Sequence, residues 1–406
     1  MQLGYSEAEL ALGAELRDWL SLQLPDLPPR PDPRDWAARR RFDCDWQRRL
    51  FDAGYAGIAW PRGYGGREAS PGEELVFLEE MARAGAPGVG VGFVGQGHAG
   101  PTIMAEGTHE QKAEFLPPIL AGDSVWCQGF SEPGAGSDLA SLSTRAVRDG
   151  DEYVISGQKI WSSFAHVADF GEVLVRTDPG AAKHRGISWL IVPMGSPGVD
   201  IRPIRTIPDT SEFCEVFFDE VRVPVANRVG PENDGWRVAM VTFGFERGTA
   251  FVGELVEAMS LAEELVAMAR LLPNPETGRG RAWDDVEIQR RAGRLLAELD
   301  ALWALTKWNV SEVTRKQASG PGGSVLKLRL CEAVQELSEL GLDVLGRRGL
   351  SLSDVDLAGE SRTGHMVFER LRHLGFTIGG GTSQIQRNII AERILGMPKE
   401  PAWTSS

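Results

Sequence analysis

The apolar pattern of this chain changes period twice, and those changes bound the folds open to it. From Ser6 to about Ala121 the residues read as helices separated by turns. Leu10, Leu12, Leu16, Trp19 and Leu20 form one amphipathic stripe, and residues 73–84 form a second helix. Thr108-His109-Glu110-Gln111 opens a third, with Thr108 as N-cap and Gln111 completing a capping box. Pro117-Pro118 is expected to break or end it. From about Gly122 to Asn233 the pattern turns to short strands, over 153–158, 172–176, 187–192, 214–219 and 221–223, which suggests a barrel or sandwich. After Gly235-Trp236 it is helical again, over 251–272, 286–318, 325–345 and 361–374, with the spacing of a helical bundle. The order is helices, a β domain, then a bundle.

At 406 residues the chain can bury a large core and hold two or three structural units. A net charge of −14 argues against nucleic acid or an anionic membrane as the main partner. Cys44, Cys127, Cys214 and Cys331 are far apart and lack metal-ligand spacing, which fits a reducing compartment. His98, His109, His166, His184, His365 and His373 form no ligand cluster, so no metal is expected. Met1 to Leu20 carries scattered acids and not a basic start with an apolar run, and no apolar stretch reaches membrane-spanning length. A cytoplasmic protein is the expectation. No Gly-x-Gly-x-x-Gly follows a leading strand within a βαβ unit, which disfavours a Rossmann-type NAD enzyme.

Three motifs carry chemistry. Gln128-Gly129-Phe130-Ser131-Glu132-Pro133-Gly134-Ala135-Gly136-Ser137-Asp138 is a Gly-rich loop entering the β domain. Its glycines expose backbone N–H groups, and Ser131 and Ser137 add hydroxyls, so it can hold an oxygen-rich ligand or simply form a turn-rich loop. Gly157-Gln158-Lys159-Ile160-Trp161-Ser162-Ser163 pairs an indole with a hydroxyl two positions later, which suits a flat ring with polar edges and equally a buried structural Trp. Ile378-Gly379-Gly380-Gly381-Thr382-Ser383-Gln384-Ile385-Gln386-Arg387 reads as a loop and N-cap before a helix. A helix start is a natural pyrophosphate site or an ordinary capped helix.

These motifs, in this order and spacing, resemble the acyl-CoA dehydrogenases over nearly the whole chain. Ser131 through Asp138 matches that family's first signature, and Gly381-Thr382-Ser383-Gln384 its C-terminal one. The resemblance implies an α+β multidomain chain: an N-terminal helical domain (1–122), a middle β-barrel-like domain (123–235) and a C-terminal four-helix bundle (236–406). It implies FAD, held by Gln128, Phe130, Ser131, Gly136, Ser137, Trp161, Ser163, Thr382 and Gln384. It also implies substrate contacts from Ser137, Arg247, Gly379 and Gly380. Most of the family places its catalytic base just before the Gly-Thr-Ser-Gln, where this chain has Gly380. A minority, isovaleryl-CoA dehydrogenase among them, carries it on an earlier helix in a Glu-Arg segment, matched here by Glu246-Arg247.

The reaction implied is α,β-dehydrogenation of an acyl-CoA thioester to the trans-2-enoyl thioester. Glu246 takes the α-proton, flavin N5 takes the β-hydride, and the Gly380 N–H helps hold the thioester oxygen. Gly379 and Gly380 remove two side chains from the expected pocket, which leaves room for a bulky acyl group such as a ring system or a steroid side chain. Electron-transfer flavoprotein is the implied acceptor. The alternatives are an acyl-CoA oxidase, a carrier-protein thioester in place of CoA, and a catalytically silent partner subunit of a hetero-oligomer. A homodimer or homotetramer is the family's usual state. Two departures bear on the partner reading. Residues 278–284 give no clean match to the family's Arg-x-x-Phe-Gly segment, and Asp343 stands where the family has Gln before Leu345-Gly346.

Overall fold

The computed structural model describes residues 4–246, 251–316, 322–354 and 363–399. The chain divides into two compact units, one of Leu12–Phe77 and Ala84–Ala250, the other of Met1–Ala11, Leu78–Arg83 and Phe251–Ser406.

The leading helices are α1 (Glu7–Gln23), α2 (Trp36–Asp52), α3 (Pro71–Arg83), α4 (Gly100–Glu106) and α5 (His109–Ala121). In α1 the stripe buries Leu12, Leu16 and Leu20, while Leu10 is exposed. The α5 capping box is complete: Thr108 Oγ1 accepts from Gln111 N at 3.3 Å, and Gln111 Oε1 accepts from Thr108 N at 3.0 Å. The prolines do not end α5. Pro117 and Pro118 lie inside it, and the helix stops at Gly122, where φ is +77°. Proline inside a helix costs about 3 kcal/mol, but Phe115, Leu116, Ile119 and Leu120 on the same helix are all buried and offset it. The helix end is instead set by Gly122, whose left-handed backbone lets the Asp123 N–H return to the Pro118 carbonyl at 2.8 Å.

Among the described residues, eight strands form one sheet: β1 (Trp126–Gly129), β2 (Arg145–Asp149), β3 (Glu152–Ser163), β4 (Phe170–Arg176), β5 (Ile187–Pro193), β6 (Val199–Ile204), β7 (Phe213–Pro224) and β8 (Arg228–Val229). Their order is β6-β7-β3-β2-β4-β5-β8, with β1 parallel to β4. The strands expected at 214–219 and 221–223 are one strand, β7, which passes through Glu220 at φ +52° instead of turning. Tyr153, Ile155, Val173, Val175, Leu190, Val192, Val216 and Val221 fill the core of this sheet. Burying each such side chain contributes about 1.5–3 kcal/mol. The sheet hands the chain to α6 (Gly235–Glu246).

In the other unit, α7 (Val252–Leu271), α8 (Val286–Lys316), α9 (Gly322–Leu345) and α10 (Thr363–His373) share one apolar core that includes Leu255, Leu265, Leu295, Leu330, Leu337 and Met366. These are the four helices that periodicity predicts. A short helix, α11 (Ser383–Ile389), follows the glycine run. Among the described residues, no helix is long and apolar enough to cross a membrane.

Candidate active site

Strand β1 delivers the chain into the first signature loop. Glu132 and Ala135 close its turn through two backbone bonds of 2.9 and 3.0 Å. Phe130 is buried, Ser131 half-buried, and Gly136 and Ser137 exposed. Among the described residues, nothing beyond the chain neighbours lies within 4 Å of where a Cβ on Gly134 or Gly136 would stand, so the loop's outer side is open. Its far end is pinned by Asp138, which accepts from Lys183 and from Ser141 Oγ, both at 2.6 Å. The Gln128 side chain turns into the domain instead: its Nε2 donates to Glu172 Oε1 at 2.8 Å and lies 3.2 Å from His98 Nδ1.

Strand β3 supplies the second motif. Its pairing with β7 shifts register between Lys159 and Ser162, and at this bulge Trp161 takes φ +62°. That left-handed backbone costs an L-residue about 1–2 kcal/mol. The result is an indole 56% exposed, edge-on to Phe213 at 6.1 Å. A large aromatic held on strained backbone and left open makes a ready platform for a flat ring. Ser163 is half-buried beside it, and the buried Ser162 Oγ has no hydrogen-bond partner among the described residues. The Ile160 N–H donates to the Ser131 carbonyl at 3.0 Å, which joins this bulge to the first loop. The structure therefore brings Phe130, Ser131, Trp161 and Ser163 together.

Helix α6 packs on the same region. Thr242 and Thr102 of α4, both wholly buried, share a hydrogen bond of 2.8 Å between their hydroxyls. One residue on, Phe243 meets the ring of Phe130 edge-on at 5.9 Å. At about 100° per residue, position 246 lies about 40° round the helix from Thr242 and about 60° from Phe243. It stands on the face between them. The Glu246 side chain and all of Arg247 lie outside the described residues.

In the other unit, the C-terminal motif is a tight glycine loop. Gly380 and Gly381 take φ +63° and +88°, backbone that favours glycine. Thr382 caps α11, its hydroxyl accepting from Ile385 N at 3.2 Å. Gly379, Gly380 and Gln384 are exposed. Behind the loop, the buried Lys327 of α9 donates to the carbonyls of Gly381 at 2.6 Å and Phe376 at 3.1 Å. Gln386 Nε2 donates to the Gly380 carbonyl at 2.9 Å. Asp343 accepts from Arg291 of α8 at 2.7 Å, so a half-exposed ion pair occupies the family's Gln position.

Sequence reasoning missed several residues here. Glu132 and Lys159 form a buried ion pair, described below. The signal was present, since Lys159 shares the parity of the inward-facing Tyr153 and Ile155 on β3. Glu254 on α7 is a second carboxylate of note, because burial pushes it up to about 7. Lys327 gave no local signal, as its partners lie about fifty residues on.

Three family models match in chain order. They are the acyl-CoA dehydrogenase N-terminal domain over residues 6–123, the middle domain over 127–221 and the C-terminal domain over 233–395. The chain is 42% identical over 356 residues to acyl-CoA dehydrogenase IpdE1 of Mycobacterium tuberculosis, covering 87% of this chain and 88% of that one. Among solved structures, the Tcur3481-Tcur3483 steroid ACAD superposes with a TM-score of 0.82 at 33% identity, covering 98% of this chain and 100% of that one. The ChsE4-ChsE5 complex from Mycobacterium tuberculosis gives a TM-score of 0.81 at 34% identity, over 98% and 100%.

Proposed function

This chain belongs to the acyl-CoA dehydrogenase family and is an oxidoreductase acting on acyl-CoA; on that premise we propose that it uses FAD to desaturate a bulky, steroid-like acyl-CoA, with Glu246 as the base. In this reading the chain works as three parts, 1–122, 123–235 and 236–406.

The residues fit FAD. Trp161 offers an exposed flat face, and Ser131 and Ser163 offer hydroxyls beside it. The open backbone at Gly134, Gly136 and Ser137 offers N–H donors, and Thr382 and Gln384 are further candidates for holding the cofactor. When bound, FAD supplies a hydride acceptor, flavin N5, for the β-hydrogen.

The chain's own part is the proton and the oxyanion. Glu246 removes the α-proton. Its helical neighbours Thr242 and Phe243 carry no charge, so α6 offers no competing ion-pair partner at those positions. The Gly380 N–H donates to the thioester oxygen and stabilises the charge that develops there. Three consecutive glycines, Gly379 to Gly381, leave the acyl end uncrowded, which supports a ring-bearing substrate. A 33%-identical relative is named a steroid ACAD, which supports the same class. The observation that supports the reading is that α6 sets Thr242 against Thr102 and Phe243 against Phe130, with position 246 one turn on along the same helix.

The test is anaerobic titration of the purified protein with a panel of acyl-CoAs while flavin absorbance is followed. Bleaching by ring-bearing acyl-CoAs and not by short straight chains is expected. Glu246→Gln should slow that bleaching by about 10²- to 10⁴-fold with FAD retained. Glu254→Gln is the control and should bleach at the wild-type rate; the reverse result would move the base to α7. Electron-transfer flavoprotein is the proposed acceptor, and rapid peroxide formation in air would point to an oxidase. One observation favours a second reading: the Asp343–Arg291 pair at the family's Gln position fits a subunit that relies on a different partner chain. Protein that stays colourless alone and turns yellow with such a partner would establish it.

A further inference from the structure

Lys159 lies on β3, two residues before Trp161, with its side chain 0% exposed. Its Nζ donates to the Phe130 carbonyl at 3.1 Å and to Glu132 Oε1 at 2.8 Å. Glu132, itself 6% exposed, also accepts from Ser143 N at 2.7 Å, Ser143 Oγ at 2.8 Å and Thr144 N at 2.9 Å. One buried ion pair thus ties together the first signature loop, the Trp161 bulge and the chain entering β2.

Burial raises the Glu132 carboxyl, but the charge of Lys159 and the converging donors outweigh it and hold it well below the usual carboxylate range. At Lys159 burial wins over the pull of Glu132 and brings the amine down to about 8, with Arg176 of β4 adding to the fall. One direction favours charge and the other its loss. The carboxylate's is the firmer, since four donors converge on it while the amine meets two acceptors.

A buried pair of this kind is a poor stabiliser, because desolvating two charges offsets most of their attraction. An apolar pair could fill the same space. It could not hold the Phe130 carbonyl and the Ser143 and Thr144 amides in fixed directions. We propose that Glu132 and Lys159 are positioning residues for the flavin: they lock the Phe130–Ser131 backbone and the Trp161 bulge in the geometry that receives the ring, and so set FAD affinity and the rate of flavin reduction. This rests on the reading that FAD occupies these loops.

The test is the double variant Glu132→Gln/Lys159→Met, which leaves no lone charge buried. Its thermal midpoint should stay near wild type. FAD binding to its apoprotein should weaken roughly tenfold, and flavin reduction at saturating acyl-CoA should slow roughly 10- to 100-fold. A folded double variant with wild-type FAD affinity and reduction rate overturns the proposal. Should the double variant fail to fold, Lys159→Arg is read by pH. Glu132 and Arg176 are the charged groups facing this position. Wild-type FAD release should quicken once rising pH removes the Lys159 proton and breaks the pair, while the arginine variant stays flat because its guanidinium keeps its charge. Identical alkaline profiles overturn the proposal. Wild-type protein that takes up no FAD, alone or with a partner subunit, overturns the flavin reading and the clasp with it. Wild-type protein that binds FAD, beside an unimpaired double variant, overturns the clasp alone.

Discussion

The two signature loops are each backed by a buried lysine, yet the lysines work differently. Lys159 meets one carbonyl and one carboxylate, and Glu132 relays the hold to amides of the next segment. Lys327 meets two carbonyls, those of Phe376 and Gly381. The difference follows from what each loop offers. The first loop leaves a strand and carries a side chain, Glu132, able to bridge to a neighbouring segment. The second is three glycines with no side chains to offer, and its turn aims carbonyls inward, so a cation with several N–H donors is the fitting partner. Charge holds the first loop through the sheet, and the second is held through its own backbone.

The largest effect expected on this contrast comes from Lys327→Met. It strips a donor from two carbonyls and should cost about 1–3 kcal/mol of stability. Urea unfolding measures it, and a change no larger than that of an exposed lysine would erase the parallel between the loops. Acid separates them next. The Glu132 carboxyl is held lower in the fold than its ordinary value of 4.5, at about 2, so its contribution is present above about 4.5 and is lost as pH falls towards 2. The thermal midpoint of Glu132→Gln should therefore fall less between pH 5 and pH 3 than that of wild type. Parallel curves would place the carboxylate's worth elsewhere. The smallest effect is Thr382→Ala, which removes the α11 cap and should cost about 1 kcal/mol while leaving the Ser131–Asp138 loop untouched. Hydrogen exchange over residues 380–386 and 131–138 reads both halves of that statement.

Much of this was legible in local sequence. The Thr108 capping box formed with both bonds because its four residues are all it needs. The bundle helices α7 to α10 followed their apolar spacing. Helix α2 went unread because its buried positions, Trp36, Phe42, Trp46 and Leu50, are diluted by arginines. The prolines of α5 misled because local propensity lost to the packing of four apolar neighbours. At the candidate site, the glycines and the serine-rich loop were visible as motifs. The inward turn of Gln128, the strain at Trp161 and the burial of Lys159 were not.

By itself the sequence determined the order of helical, strand and helical regions, and the spacing of the two signature loops, because period and turn chemistry are set by residues a few positions apart. The tertiary structure alone decided which charges lose their water and which faces meet. Thr102 and Thr242 are 140 positions apart, and Lys159 and Glu132 are 27 apart. Such pairs exist only once the chain has folded between them, and no local pattern specifies that closure.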